Sequence, residues 1–306
     1  MTTHSVGLVR RIAELKQARH AVILAHNYQR PEVQDVADFV GDSLELSRTA
    51  ARTAEAVIVF CGVRFMAETA AILCPDKSVL LPVHEAGCPL ADTAIVEQLW
   101  RIKLLHPLAV VVAYVNTSAA VKAESDICCT SGNAVEVVRS VPPGHPILFV
   151  PDRNLGHYVG QMTGRHVIPW EGSCPTHAAL SVGDLQQAKS EHPEALVMAH
   201  PECRPEVLAL ADRVAGTAGM LAYAAEQTDG TVFIVGTDIG MMHRLRKENP
   251  DKTFFTASDY LVCPTMKLTT LEDVARSLEN MEHVVTLTEA VRVNARRALD
   301  RMLALP

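Results

Sequence analysis

No apolar run in this sequence approaches the roughly 18 to 20 residues that a membrane span requires. The blocks are short, among them AVILA, AVIVF, LAVVVAYV, ALVMA and TVFIV. A secretory leader is not expected either. MTTHSVGLVRRIAELKQARH reads as a charged amphipathic helix with Val9, Ile12 and Leu15 on one side, and it has neither an apolar block nor a cleavage site. A soluble, cytoplasmic protein is the expectation. There is no excess of positive charge: the formal net charge is -7, which argues against a general nucleic-acid binder. It leaves room for a small anionic substrate, since a few local N–H groups and cations can hold one. Low-complexity segments, long linkers, a basic helix and an interaction tail are all lacking.

What is present is a substantial apolar fraction, 48% of 306 residues, and eight cysteines. The first allows a large core. The second, in a chain expected to be cytosolic, reads as thiols, core residues or metal ligands rather than a disulfide framework.

Three of the cysteines recur in one setting. EAGCPLADT, EGSCPTHAA and YLVCPTMKL place Cys88, Cys174 and Cys263 before a proline, 86 and 89 residues apart. Other features keep the same period. AVILAHNY, AVVVAYVN and ALVMAHPE bring His26, Tyr114 and His200 to the ends of apolar runs, and 17 residues beyond each stand Ser43, Ser131 and Thr217. Asp38, Asp126 and Asp212 precede those hydroxyls by five residues. AVIVFCG, PILFVPD and TVFIVGT match one another, as do KSVLLP, RHVIPW and KTFFTAS, and each of the latter leads into a Cys-Pro pair. Asp92, Ser181 and Thr269 are expected helix N-caps, the last two with Asp184 and Glu272 completing capping boxes. A repeated order of this kind is the signature of a repeated fold.

Each unit alternates short β-branched runs with helical patterns, the mark of βαβ units and a parallel sheet covered by helices. The predicted fold is α/β: three similar three-layer αβα domains with short parallel sheets in pseudo-threefold arrangement around a central site. The expected divisions are 1–105 with the N-terminal helix and Cys88, 106–191 with Cys174, and 192–306 with the C-terminal helices and Cys263. Ligands of open α/β sheets bind beyond the carboxyl ends of the strands, where His26, Tyr114 and His200 fall.

Three thiolates converging on one centre suit a metal site with an incomplete ligand set. A [4Fe–4S] cluster held by three cysteines leaves one iron open, and an open metal acts as a Lewis acid. Inert burial is the competing reading for any single cysteine, and equivalent placement in every repeat reverses it. Cys61, aligned with Val150 and Val235, and Cys128 and Cys129 read as core. Cys74 has no counterpart in the other repeats, and Cys203 lies beside Glu202 without an assigned role. Ser43, Ser131 and Thr217 near helix N-termini suit anion contact as well as capping. The strand-end residues differ between repeats as His-x-Tyr, Tyr-x-Asn and His-x-Glu, which fits proton transfers. His177 is a further site candidate, and a zinc site of Cys and His ligands stays open there.

LAHNYQRPEVQDVADFVGDSLELS, AYVNTSAAVKAESDICCTSGNA, FVPDRNLG, WEGSCPTH, AHPEC and CPTMKLTTLE together resemble the quinolinate synthase family over nearly the whole chain. The resemblance implies condensation of iminosuccinate (iminoaspartate) with dihydroxyacetone phosphate, giving quinolinate, phosphate and water in de novo NAD biosynthesis, with the imine supplied by L-aspartate oxidase. It implies a [4Fe–4S] cluster on Cys88, Cys174 and Cys263. It implies substrate binding by His26, Ser43, Tyr114, Asn116, Ser131, His177, His200, Glu202 and Thr217, and catalytic roles for Glu202, His200, Tyr28, His26 and Tyr114. Ala215-Gly216-Thr217-Ala218-Gly219 stands where the family often has Gly-Ser-Thr-Ser-Gly. Tyr260 replaces the first cysteine of a Cys-x-x-Cys pair found in some members. The competing functions are an iron–sulfur hydro-lyase acting on another small acid and a non-enzymatic iron–sulfur or zinc sensor.

Overall fold

A computed structural model describes residues 3–305, with side chains from residue 6 onward. Twelve strands form three four-stranded sheets. The first holds β1 (Ala21–His26), β2 (Phe39–Gly41), β3 (Val57–Cys61) and β4 (Ser78–Leu80). The second holds β5 (Val110–Tyr114), β6 (Ile127–Cys129), β7 (Ile147–Val150) and β8 (Val167–Pro169). The third holds β9 (Leu196–Ala199), β10 (Arg213–Val214), β11 (Val232–Gly236) and β12 (Thr253–Thr256). All pairings within them are parallel, and each sheet has the same order: second, first, third, fourth strand. Helices cover the sheets, so the architecture is three similar αβα units. The central strands are buried along nearly their whole length, which explains their unbroken apolar sequence.

The period has a physical basis at Asp38, Asp126 and Asp212. Each carboxylate accepts a hydrogen bond from the amide near the start of its central strand, Ile23, Val111 and Val197, at 2.8 Å in all three cases. Each thereby pins the connection entering the edge strand. The hydroxyl residue five positions later is then carried to the carboxyl end of the sheet.

Two of the expected caps differ. Ser181 caps the helix Val182–Glu191 in a box with Asp184. Thr270, not Thr269, caps Leu271–Asn280, and its box partner is Asp273 rather than Glu272. Asp92 lies inside a 3-10 turn, Ala91–Thr93, and the helix begins only at Val96, after an extended Ile95. The sequence pattern located the segments, whereas the residue that caps depends on where the chain turns extended.

The chain doubles back at its end. The helix Leu271–Asn280 packs on the N-terminal helix Thr3–Arg19, with Ile12, Leu15, Val274 and Leu278 sharing a core with Ile23 and Val59 of the first sheet. The helix Glu289–Leu303 covers the helix Ala119–Ala123 and β6 of the second unit. A single large apolar cluster includes Leu24, Val112 and Phe233, one residue from each sheet. No helix among the described residues is long and apolar enough to cross a membrane.

Candidate active site

His26 ends β1, Tyr114 ends β5, and His200 follows β9 directly. These equivalent strand ends open onto one cavity between the three units. Asn116 and Glu202 line it two residues beyond Tyr114 and His200, and Tyr28 two beyond His26. From the helix starts come Ser43 and Thr217, the first residues of Ser43–Arg52 and Thr217–Glu226. Ser131 comes from a turn that precedes the helix Ala134–Ser140. Cys88, Cys174, His177 and Cys263 also line it. Every residue singled out from the sequence as a site candidate is therefore brought to this cavity.

Strand register corrects one alignment and reveals why the cysteine loops sit where they do. Ala25, Ala113 and Ala199 pair with Cys61, Val150 and Gly236. Cys61 thus corresponds to Gly236, not to Val235. Two residues further on, Val63, Asp152 and Asp238 are equivalent. Asp152 accepts from the Cys174 amide at 3.0 Å, and Asp238 from the Cys263 amide at 2.6 Å. Cys88 has no such anchor, since Val63 fills the place. Its carbonyl instead accepts from the amide of Asp92, 3.1 Å away.

The hydrogen bonds around Glu202 have a definite direction. The carboxylate offers only lone pairs, so His177 Nδ1, 2.7 Å from Glu202 Oε2, carries the proton. His177 Nε2 lies 2.8 Å from Thr237 Oγ1, which in turn lies 2.5 Å from the Tyr28 hydroxyl. The amides of Tyr28 and Glu202, donors only, face Nδ1 of His26 (3.1 Å) and of His200 (3.3 Å). His26 therefore carries its proton on Nε2, whereas His200 Nδ1 also faces Glu202 Oε2 at 3.3 Å. His200 Nε2 lies 3.2 Å from Ser131 Oγ.

Burial pushes His26 and His200 down to about 3, helped by Lys267 for the first and His177 for the second, so both are neutral imidazoles at ordinary pH. Burial raises the Tyr28 and Tyr114 phenols well above their usual value, with Glu202 adding to both. They stay protonated. Burial alone would raise the Glu202 carboxyl, but His177, His200 and a hydrogen bond from Tyr114 outweigh it and hold it low. Among the strand-end residues Glu202 is thus the one carboxylate, beside two neutral imidazoles and two protonated phenols. Glu202 Oε1 and Asn116 Oδ1 are buried without a hydrogen-bond partner, as expected of groups that face a ligand.

The sulfurs suit a metal. Cys88, Cys174 and Cys263 are half-buried, whereas the other five cysteines are buried and do not line the cavity. Backbone amides of Ala91 and Leu90 point at the Cys88 sulfur and that of His177 at Cys174, and Thr265 Oγ1 lies 3.4 Å from Cys263 Sγ. Donors aimed at sulfur match thiolate ligands. Burial pushes the Cys88 thiol up to about 12, so a thiolate there requires a compensating cation. A second metal-capable group overlaps this one: the ligand atoms of Cys174, His177 and Glu202 lie within 4.8 Å of one another.

Asp152, Asp238, Thr237 and Lys267 escaped the sequence reading. Lys267 Nζ pairs with Asp238 Oδ1 at 2.6 Å and also donates to the Tyr28 carbonyl. The two aspartates were findable, because FVPD and VGTD end matching apolar runs. Thr237 and Lys267 carry no signal of their own. Cys203 is buried in the third unit, its thiol against the Gly236 carbonyl. Gly216 has a steric role: a Cβ there would stand 2.7 Å from Ser131 Oγ, so glycine permits the close approach of the two units.

The family model described as Quinolinate synthetase A protein (NadA) matches residues 10–304. The chain is 57% identical over 298 residues to a quinolinate synthase of Methanosarcina barkeri, covering 97% of each. It is 55% identical over 295 residues to one from Geotalea uraniireducens, covering 96% of each. To one from Thermodesulfovibrio yellowstonii it is 53% identical over 298 residues, 97% of this chain and 98% of the relative.

Proposed function

The chain belongs to the quinolinate synthetase A family of enzymes, and from that premise we propose that it condenses iminosuccinate with dihydroxyacetone phosphate to quinolinate, phosphate and two waters. The atoms balance without an oxidant. The observation that carries the reading is the meeting of three cysteine loops, one from each unit, with Glu202, His200, Tyr114 and the hydroxyls of Ser43, Ser131 and Thr217 in a single cavity.

Cys88, Cys174 and Cys263 would hold a [4Fe–4S] cluster. When bound, it supplies an iron without a cysteine ligand, a Lewis acid that favours loss of water. The remaining roles belong to the chain. Ser43, Ser131 and Thr217 donate to carboxylate or phosphate oxygens, two of them from the first turn of a helix, where free N–H groups also favour anions. His26 and Asn116 orient the ligand by Nε2–H and amide contacts. Tyr28 and Tyr114 present phenols that stay protonated. Glu202, ionised and with Oε1 free, takes a proton from carbon during isomerisation of the adduct and returns it to a departing hydroxyl. His177 and His200 hold its other oxygen and ring position. The labile imine calls for an aspartate-oxidising partner. Eight free thiols suit a reducing, cytoplasmic setting.

The Cys174, His177 and Glu202 group favours one second reading, a single zinc ion in a non-enzymatic sensor or a different lyase. Anaerobic protein is assayed for metal and for quinolinate formed from the two substrates. About four irons per chain with quinolinate formation upholds the proposal. One zinc without quinolinate overturns it.

A further inference from the structure

Asn27 immediately follows the cavity residue His26, yet its side chain is fully buried and does not line the cavity. It lies between two side chains of the third unit. Arg244, on the helix Met241–Glu248, donates from Nη1 to Asn27 Oδ1 at 2.9 Å and to the Val40 carbonyl at 2.8 Å. Asn27 Nδ2 donates to Thr217 Oγ1 at 2.8 Å. An amide can ordinarily be turned over so that its two ends exchange. Here it cannot, because a guanidinium has donors and no acceptor, so the amide atom facing Arg244 must be oxygen. Nitrogen then faces Thr217.

The Asn27 backbone holds this geometry. Its N–H donates to the Gly41 carbonyl at 3.0 Å, and its carbonyl accepts from Gln34 Nε2 at 3.1 Å. Thr217 makes no other side-chain hydrogen bond among the described residues, and it is the first residue of its helix. An i–4 carbonyl inside the helix is therefore not available to it. With one lone pair taken by Asn27, its hydroxyl hydrogen is left for the cavity.

We propose that Arg244 and Asn27 are positioning residues that set the polarity of Thr217, making it an obligate hydrogen-bond donor to an anionic oxygen of the ligand. The proposal deepens the quinolinate-forming reading and rests on it. Gly216 and Ala218 flank Thr217 without hydroxyls, so no neighbour can replace this donor. In the other two units Val115 and Pro201 stand where Asn27 does, one residue past Tyr114 and His200. The device is specific to one corner of the cavity. The anionic oxygen belongs either to a carboxylate or to the phosphate, and two probes separate these.

Asn27→Asp reverses the polarity. A carboxylate still accepts from Arg244 but now also accepts from Thr217, drawing its hydrogen away from the ligand. Dissociation constants for quinolinate and for dihydroxyacetone phosphate are measured anaerobically on the iron-loaded wild type, Asn27→Asp, Thr217→Val, Arg244→Met and the Asn27→Asp/Thr217→Val double variant. Loss of a hydrogen bond to a charged group predicts about tenfold to a hundredfold weaker binding of one probe in Thr217→Val. Asn27→Asp weakens the same probe by a similar factor, and adds less than about twofold once Thr217 is already valine. Arg244→Met, which frees the amide to turn, gives a smaller loss of the same probe. Full additivity in the double variant, or unchanged binding in Asn27→Asp, overturns the proposal. Thermal melting of each variant separates misfolding from polarity. If Asn27→Asp does not fold, Arg244→Met, alone and combined with Thr217→Val, decides in the same way. A wild type that forms no quinolinate defeats the functional reading, whereas additive variants of an active enzyme defeat only this inference.

Discussion

The carboxylate of Asp238 and the backbone amide of Cys263 lie 2.6 Å apart. Asp238 is fully buried, and its other oxygen takes the Lys267 ammonium at 2.6 Å and the Gly240 amide at 2.7 Å. Lys267 in turn donates to the Tyr28 carbonyl. One aspartate therefore fixes a proposed cluster ligand, and through Lys267 the turn that carries Tyr28.

Asp238→Asn leaves Lys267 without its ion partner. Breaking a buried pair at one end costs about 3 to 5 kcal/mol, and the lower figure applies here because Lys267 keeps 17% of its side chain exposed. A fall of that size in the unfolding free energy from denaturant titration, together with reduced iron per chain, is the expected result. Unchanged iron and stability would show that the loop holds itself.

The cysteines divide into two groups. Alanine at Cys88, Cys174 or Cys263 is expected to remove most of the iron and all quinolinate formation, with secondary structure retained by circular dichroism. Alanine at Cys203, buried against Gly236, keeps both and costs about 1 to 2 kcal/mol of packing. Iron retained in Cys88→Ala, or lost in Cys203→Ala, reverses the assignment.

Glu202→Gln keeps the shape and removes the charge. Its amide cannot accept from His177 and also take a proton from carbon. Turnover should fall by about 10² to 10⁴, while quinolinate affinity stays within about threefold. Single-turnover assays beside equilibrium binding test this, and normal turnover removes Glu202 from the mechanism.

His26 gives a pH signature. Its folded value is lowered to about 3, chiefly by burial, against an unfolded value of 6.5. The unfolded chain binds the extra proton, so the contribution is fully present above about pH 6.5 and is lost as pH falls towards 3. The slope is about 1.4 kcal/mol per pH unit for one site. Wild type should lose about 2 kcal/mol more than His26→Gln between pH 7 and pH 5 in denaturant titrations. Equal losses would mean that His26 titrates normally.

The sequence by itself determined the repeated α/β units, the apolar central strands and the strand-end, hydroxyl and cysteine residues of the cavity. Each of these is a local pattern multiplied by three, and a period can be read without coordinates. Even the role of Asp38, Asp126 and Asp212 was foreshadowed by their fixed distance from a hydroxyl, although not the strand amide each one holds. Register was less legible. The slip between Val235 and Gly236 shows that strand pairing, set by hydrogen bonds across the sheet, outranks similarity of apolar runs. Only the tertiary structure decided which side chains meet across units: His177 with Glu202, Lys267 with Tyr28, and Asn27 between Arg244 and Thr217. Those partners lie between 25 and 239 residues apart, and each contact joins different repeats. A repeat shows what its copies have in common, while the chemistry of this cavity depends on where they differ and on how they face one another.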